Sequence, residues 1–260
     1  MQLAAFVPPR PDEHPIAAAL RQAVLDQSNL APRSLQTALG PSEYGEACAR
    51  KLAYRLMDET KTNTDSDPWA SIVGTATHAW LADALTADNH RSGDMRWLVE
   101  RRLEVRPGLE GSCDAYYVPR HTVVDHKVVG PAKLREYKIS GPSEQYRKQV
   151  HIYGKGYARL GLPVQEVAIA FYPRAGQLSG MHVWSEPFNE AIADEAIARV
   201  DTLLQVIVEM QVDDHPEHYK AIPRSPSRNC LYCPWMRPGP DQGTACPGDT
   251  QTPTAATAVA

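Results

Sequence analysis

The chain has 260 residues, 43% hydrophobic and 22% charged, ordinary for a soluble globular protein and enough to bury a real core. Its formal net charge of −4 argues against a protein that coats nucleic acid non-specifically, but leaves room for a local basic groove around an acidic site. The N-terminus lacks the apolar core of a signal peptide, and no stretch is long enough to span a membrane, so a cytoplasmic protein with no membrane partner is expected. Five cysteines in a reducing compartment point to metal or cluster chemistry before disulfides.

In chain order, residues 1–13 are proline-rich and read as the loose start of an N-terminal extension, 1–40. Within it, 14–27 repeats Ile16, Ala19, Leu20, Val24 and Leu25 at helical spacing. Ser42 is placed to cap a helix over 43–58 that carries Cys48, Arg50 and Lys51. A polar loop, 59–68, ends at Pro68. The next helix, 69–87, has Ile72, Ala76, Ala79, Trp80, Ala84 and Leu85 as its apolar face, with Gly74 and His78 one turn apart. Residues 88–94 read as a polar break, and 96–105 as a strand.

Two β-branched and aromatic runs, 113–118 and 121–129, flank a Pro119-Arg120 turn and read as a hairpin. A basic connection, 130–142, holds Lys133, Arg135 and Lys138. The helix over 143–160 carries Arg147, Lys148, Gln149 and Tyr153. Strands are expected over 164–172 and 181–184, joined by a turn around Gly176, and the longest helical pattern spans 189–211. A core over 41–222 is then followed by a cysteine-rich segment, 223–247, and a Thr/Ala/Pro tail, 248–260, that reads as disordered. The order suits an α/β protein of the α+β kind, a mixed sheet with helices on both faces, better than a doubly wound nucleotide-binding fold.

Side chains alternate along a strand, so Asp125 and Lys127 share a face while His126 points the other way. An acid and an ammonium inside such an apolar run are costly to bury unless paired or metal-bound. A salt-bridged strand and a catalytic site both satisfy that condition. Metal-assisted phosphodiester cleavage needs hard oxygen ligands, an open position for water and positive charge near the developing anion. Asp114 and Asp125 can supply carboxylates from neighbouring strands, and a bound cation would relieve their repulsion. Lys127 can orient or deprotonate water, His78 can add a nitrogen ligand, and the backbone carbonyl of His126 another oxygen. Gly154-Lys155-Gly156 is not read as a phosphate loop, because it lies within a helical pattern and has no preceding strand.

The series Gly74-x3-His78, Gly111-x2-Asp114, Asp125-x-Lys127 and Gln149-x3-Tyr153 resembles the RecB-like branch of the PD-(D/E)XK nuclease superfamily. That resemblance implies a restriction-endonuclease-like core flanked by helices. It makes His78, Asp114 and Asp125 ligands for Mg²⁺ or Mn²⁺ and Lys127 the catalytic lysine. It further implies that Gln149 and Tyr153, on one helix face, hold the DNA strand and that lysine in place. Core packing for Tyr153 and plain surface exposure for Gln149 are the alternatives.

One early cysteine, Cys48, and three late ones, Cys230-x2-Cys233-x12-Cys246, resemble the iron–sulfur variant of these nucleases. The likeness is closest to the CRISPR-associated iron–sulfur exonuclease family, and a phage-encoded member fits as well. It implies a [4Fe–4S] cluster on those four cysteines, stapling the two ends of the chain over the core. The twelve residues between Cys233 and Cys246 exceed the family's short spacer, and structural zinc on the same thiolates is the competitor. Cys113 reads as a small buried hydrophobe.

The function expected is a metal-dependent DNA exonuclease acting on single strands or strand ends. Family context places it in recombination, repair or the trimming of CRISPR spacer precursors, with CRISPR-adaptation or recombination proteins as partners. Backbone contacts are expected from Arg50, Lys51, Lys133, Arg135, Arg147 and Lys148, with little base preference and marked salt sensitivity. The alternatives are a catalytically silent DNA-binding or adaptor module with structural zinc, and a structure-selective endonuclease.

Overall fold

The computed structural model describes residues 14–30, 38–63, 67–225 and 228–248. The loose segment expected over 1–13 and all but the first residue of the tail expected over 248–260 lie outside the described residues. Five strands form one sheet in chain order: β1 (Trp97–Arg106), β2 (Leu109–Tyr117), β3 (Thr122–Val129), β4 (Glu166–Pro173) and β5 (His182–Pro187). Only β3 and β4 run parallel; the other neighbours are antiparallel. A parallel pair needs a crossover, and here it holds two helices, α5 (Pro131–Ser140) and α6 (Glu144–Arg159). The expected mixed α/β sheet with flanking helices is therefore present.

The Ser143 side chain accepts the backbone N–H of Tyr146 and starts α6 as a helix cap. Val150, Tyr153 and Tyr157 of α6, with Leu134 and Tyr137 of α5, pack onto Leu103, Tyr116, Val123, Ile169 and Phe171 of the sheet. Gly154 lets α6 come close, since a Cβ there would lie 2.5 Å from the Phe188 ring. That contact explains a helical glycine that otherwise costs roughly 1 kcal/mol against alanine. On the opposite face α4 (Trp69–Ser92) runs along β1 to β3, and its His78 meets His126 on the side of β3 away from Asp125.

Several expectations are corrected. The helix expected over 43–58 is two, α2 (Pro41–Tyr44) and α3 (Ala49–Leu56), following α1 (Pro15–Leu30). The break is tertiary: a Cβ on Gly45 would lie 2.6 Å from the carbonyl oxygen of Gln145, whose side chain donates to the Ser42 carbonyl at 2.8 Å. Ser42 thus lies within α2 and caps nothing. The polar break expected over 88–94 is largely helix, because Asn89 ties α4 to β1. Its Oδ1 accepts the N–H groups of Arg96 and Trp97, both at 2.9 Å, and its Nδ2 donates to the Trp97 carbonyl. Trp80 belongs to no buried face; it is 70% exposed. The basic connection 130–142 holds α5, which begins at Pro131 and ends at Gly141. Among the described residues α4, with 24 residues, and not α7 (Glu190–Glu209, 20 residues), is the longest helix.

After α7 and a 3₁₀ turn, Pro216–Ala221, the chain returns to α3. Leu52 and Tyr54 share a second core with Val200, Ile207, Tyr219, Trp235 and Cys246. Trp235 Nε1 donates to the Glu59 carbonyl at 3.0 Å, and the Tyr54 hydroxyl donates to the Gly243 carbonyl. Among the described residues, no helix is long and apolar enough to cross a membrane.

Candidate active site

Pairing between β2 and β3 is confined to the end beside their turn, from Ala115 with Val124 to Tyr117 with Thr122. Further along the strands part, and the backbone N–H of His126 needs another acceptor. The Asp114 side chain supplies it, accepting at Oδ2 over 2.6 Å. Asp114 Oδ1 lies 3.3 Å from His78 Nδ1, which α4 presents from the opposite face. Asp125 is fully buried, and both of its oxygens are engaged. Oδ1 accepts from Gln149 Nε2 at 2.9 Å, and Oδ2 forms an ion pair with Lys127 Nζ at 2.6 Å. The ammonium also sits 4.8 Å from the centre of the Tyr146 ring. Side chains of α4, β2, β3 and α6 therefore meet where the sheet opens.

Burial raises the Asp125 carboxyl to about 6; Lys127 opposes the rise and the charge of Asp114 adds to it. Burial also works against ionisation of Asp114, yet His78 and the His126 N–H outweigh it and hold that carboxyl below the ordinary range. Lys127 and His78 follow the same logic with opposite sign. Burial disfavours their charge, but the Asp125 carboxylate for Lys127, and Asp114 with Asp125 for His78, raise both pKa values. Burial keeps His126 neutral by lowering it to about 4. Among the described residues its Nε2 is buried without a partner, and its Nδ1 lies 3.5 Å from the Tyr172 hydroxyl.

Two residues here were missed in the sequence. Tyr146 lies one helical turn before Gln149, so the signal existed in the spacing. Glu100 carries no motif. The β1–β2 ladder steps from Val99 with Ala115 to Arg101 with Cys113, leaving Glu100 opposite Asp114. At φ 48°, Glu100 adopts a backbone conformation uncommon for any residue with a side chain. Donor atoms of His78, Glu100 and Asp114 all lie within 4.8 Å of one another. Asp125 stands outside that compact group, held back by Gln149 and Lys127. Burial and the charge of Asp114 raise the Glu100 carboxyl, with His78 opposing.

The predicted DNA contacts divide. Arg50 is corrected outright. It is 3% exposed, and its guanidinium donates to Asp241 Oδ2 at 2.5 Å, the Lys220 carbonyl at 2.5 Å and the Ile222 carbonyl at 3.1 Å. Tyr153 is likewise a core residue rather than a strand contact, packed beside Gly111. Gln149 is not on the surface but bonded to Asp125. Lys51 pairs with Glu46 at 2.5 Å, Arg147 with Glu186 at 2.6 Å and Lys133 with Glu136 at 3.0 Å. Arg135 is exposed and Lys148 half-buried.

Of the cysteines expected to form a cluster, Cys48 and Cys246 both act on Cys233, across the two ends of the chain. Cys48 precedes α3, and burial raises the Cys233 thiol, with the charges of Cys48 and Cys246 acting in the same direction. A Cβ on Gly248 would lie 3.5 Å from Cys230 Cβ. Residues 234–245 fold back on themselves. Met236 bridges to Cys246, and the Cys246 N–H donates to the Trp235 carbonyl at 2.8 Å. The long spacer is thereby closed. Among the described residues, no three cysteine sulfurs lie within 4.8 Å of one another. A single tetrahedral zinc, with Zn–S about 2.3 Å, would draw them closer than that. Cys113 is buried, as expected.

No protein-family model matches the chain, and no curated protein does. Solved structures similar to it include an alkaline exonuclease from Laribacter hongkongensis (TM-score 0.47, 15% identity, 71% of this chain and 93% of that one). The complex of that exonuclease with dAMP gives 0.46, 16%, 71% and 93%. A phage related exonuclease from Haemophilus somnus 129PT gives 0.44, 15%, 62% and 82%. With each of these TM-scores below 0.5, the likenesses carry no residue roles to this chain.

Proposed function

We propose that the chain is a metal-dependent deoxyribonuclease that hydrolyses phosphodiesters as an exonuclease on single strands or strand ends. The observation that supports this most is the opening between β2 and β3, where Asp114 takes His78 and the His126 N–H beside the buried Asp125–Lys127 pair. A merely salt-bridged strand would need neither the interrupted ladder nor a histidine from another layer. Burying two carboxylates and an ammonium together costs several kcal/mol per ion before pairing repays it. That expense is explained by a site kept for a ligand.

The donor set of carboxylates, one imidazole and the His126 carbonyl suits Mg²⁺ or Mn²⁺, which His78, Asp114 and Asp125 would hold. When bound, such an ion supplies Lewis acidity to a phosphoryl oxygen and acidifies water. Lys127, kept as an ammonium by Asp125 and the Tyr146 ring, acts as a donor: it orients water or a phosphate oxygen and offsets developing negative charge. Gln149 fixes the rotamer of Asp125. Backbone contacts with the strand are assigned to the exposed Arg135 and the half-buried Lys148. Cys48, Cys230, Cys233 and Cys246 would hold a [4Fe–4S] cluster, with zinc as the alternative, joining α3 to the C-terminal segment. Recombination, repair or spacer trimming in the cytoplasm, in a CRISPR or phage setting, is the role this reading supports.

Digestion of end-labelled single strands with Mg²⁺ and then Mn²⁺ tests the activity. Lys127→Ala should abolish cleavage and leave DNA binding largely intact, whereas undiminished cleavage by the pure variant would remove the site from consideration. Anaerobically purified protein should be brown and contain iron and sulfide; a colourless protein with stoichiometric zinc reverses the cofactor assignment.

A further inference from the structure

Where α7 gives way to the returning C-terminal segment, we infer that His215, Glu217 and His218 form a zinc-binding site of two imidazoles and one carboxylate. The inference does not depend on the nuclease reading. The run His215-Pro216-Glu217-His218 enters the 3₁₀ turn Pro216–Ala221. Side chains three apart in a 3₁₀ helix eclipse one another, so the two histidines stand on one side of the turn. Their rings are stacked with centroids 5.0 Å apart, and Glu217 Oε1 lies 3.4 Å from His215 Nδ1. One donor atom from each of the three residues lies within 4.8 Å of the other two. Zinc held at about 2.0–2.2 Å would draw them closer. All three side chains are exposed, so side-chain rotation can close that distance.

His218 carries a second, independent observation. Its Nδ1 lies 2.6 Å from the carbonyl of Met210, the residue that ends α7. A carbonyl only accepts, so Nδ1 bears the proton and the neutral ring keeps the Nε2 lone pair. Metal-ligating histidines almost always make this outer contact, which fixes the tautomer and the direction of the ring. A surface ion pair would account for His215 and Glu217, and capping of α7 for His218, but neither calls for two imidazoles stacked beside one carboxylate. That donor set suits zinc, whereas Mg²⁺ prefers oxygen, and three protein ligands leave a fourth position for water. The turn itself ties several elements together. Tyr219 is fully buried, the Lys220 and Ile222 carbonyls accept from Arg50, and Gly243 packs so closely on the Pro216 carbonyl that a Cβ would overlap it. An ion at this turn clips the crossing from α7 into the cysteine-rich segment and stabilises the folded chain by mass action.

The test is Zn²⁺ uptake by the intact protein against a chromophoric chelator, in wild type, His215→Gln, Glu217→Gln and Asp114→Asn. The cysteines are the same in all four, so their share of the metal cancels. Wild type should take up one equivalent more than His215→Gln, or hold it at least about tenfold more tightly, and Glu217→Gln should weaken the same ion. Asp114→Asn should keep it. Zinc should also raise the urea midpoint of wild type more than that of His215→Gln. Both substituted residues of the turn are exposed, so their variants should retain the wild-type circular dichroism spectrum. Equal uptake and affinity in wild type and His215→Gln overturns the inference. So does an ion that Glu217→Gln holds at full affinity, or one lost from Asp114→Asn instead. DNA cleavage is not read, so the nuclease reading stands or falls separately.

Discussion

Arg50 should be a structural residue, and Arg50→Ala should cost about 3–5 kcal/mol of stability, the range for breaking a buried ion pair. Its guanidinium makes three bonds, to Asp241 and to the carbonyls of Lys220 and Ile222, and so joins α3 to the returning C-terminal segment. Hydrogen bonds to a charged group contribute roughly 1.5–3 kcal/mol each, which would sum to more. They share one side chain, however, and Asp241 is 25% exposed, so water recovers part of the loss and the lower range applies. Arg50→Lys keeps the charge but not the planar fork, and should fall between wild type and alanine. Urea unfolding of the intact protein measures the difference. The salt dependence of single-strand binding should keep its slope, whereas a lost phosphate contact would reduce it by about 0.7. A stability loss below about 1 kcal/mol together with a reduced slope would return Arg50 to the DNA and refute the packing argument.

Asp114→Asn retains an acceptor for the His126 N–H but loses the charge. Cleavage should disappear while stability stays within about 1.5 kcal/mol of wild type, and an active variant would show that the carboxylate is only a ladder substitute. Gly45→Ala places a Cβ 2.6 Å from the Gln145 carbonyl oxygen, so it should destabilise by about 1–3 kcal/mol; an unchanged melting temperature would contradict that approach. Acid should destabilise the α6–β5 contact. Burial, opposed by Glu186, lowers His151 below 6.5, and Arg147 with His151 outweighs burial to hold Glu186 below 4.5. Stability from these groups is complete above their ordinary values and is lost as pH falls through the depressed ones. The part of the urea midpoint that this contact supplies, read as the difference between wild type and His151→Gln, should therefore shrink on acidification from pH 6.5, and an NMR titration placing His151 above 6.5 would sink the prediction.

Local chemistry was legible where the local chain decides. Ser143 marked the start of α6, and the β-branched run around Asp125 marked β3. The errors arose where a distant partner decides. Gly45 ends α2 because Gln145 lies against it, a hundred residues further on. Residues 88–94 read as a polar break, yet the Asn89 amide serves as the end-piece of β1 and allows α4 to continue. In α5 only Leu134 and Tyr137 are buried, one turn apart among charges, and two residues are too faint a stripe to separate a helix from a basic loop.

The same division runs through the candidate site. Asp125 and Lys127 could be placed on one face because a strand fixes them two residues apart, whereas helical spacing tied Gln149 only to Tyr153 and left its bond to Asp125 to tertiary packing. Glu100 could not. Only the antiparallel register of β1 on β2 sets it opposite Asp114, fourteen positions away. Arg50 misled for the converse reason: charge marks a residue for the surface, and the carbonyls that allow it to be buried belong to a segment whose return no local pattern reports. Asp114 joins the two cases. A fully paired β2–β3 ladder would satisfy the His126 N–H with a backbone carbonyl and leave no opening between the strands. By taking that N–H on its own side chain, Asp114 lets the strands part without stranding a donor, and the resulting gap is where its second oxygen meets His78. One carboxylate thus does two jobs, replacing a rung of the sheet and lining the opening that the missing rung creates.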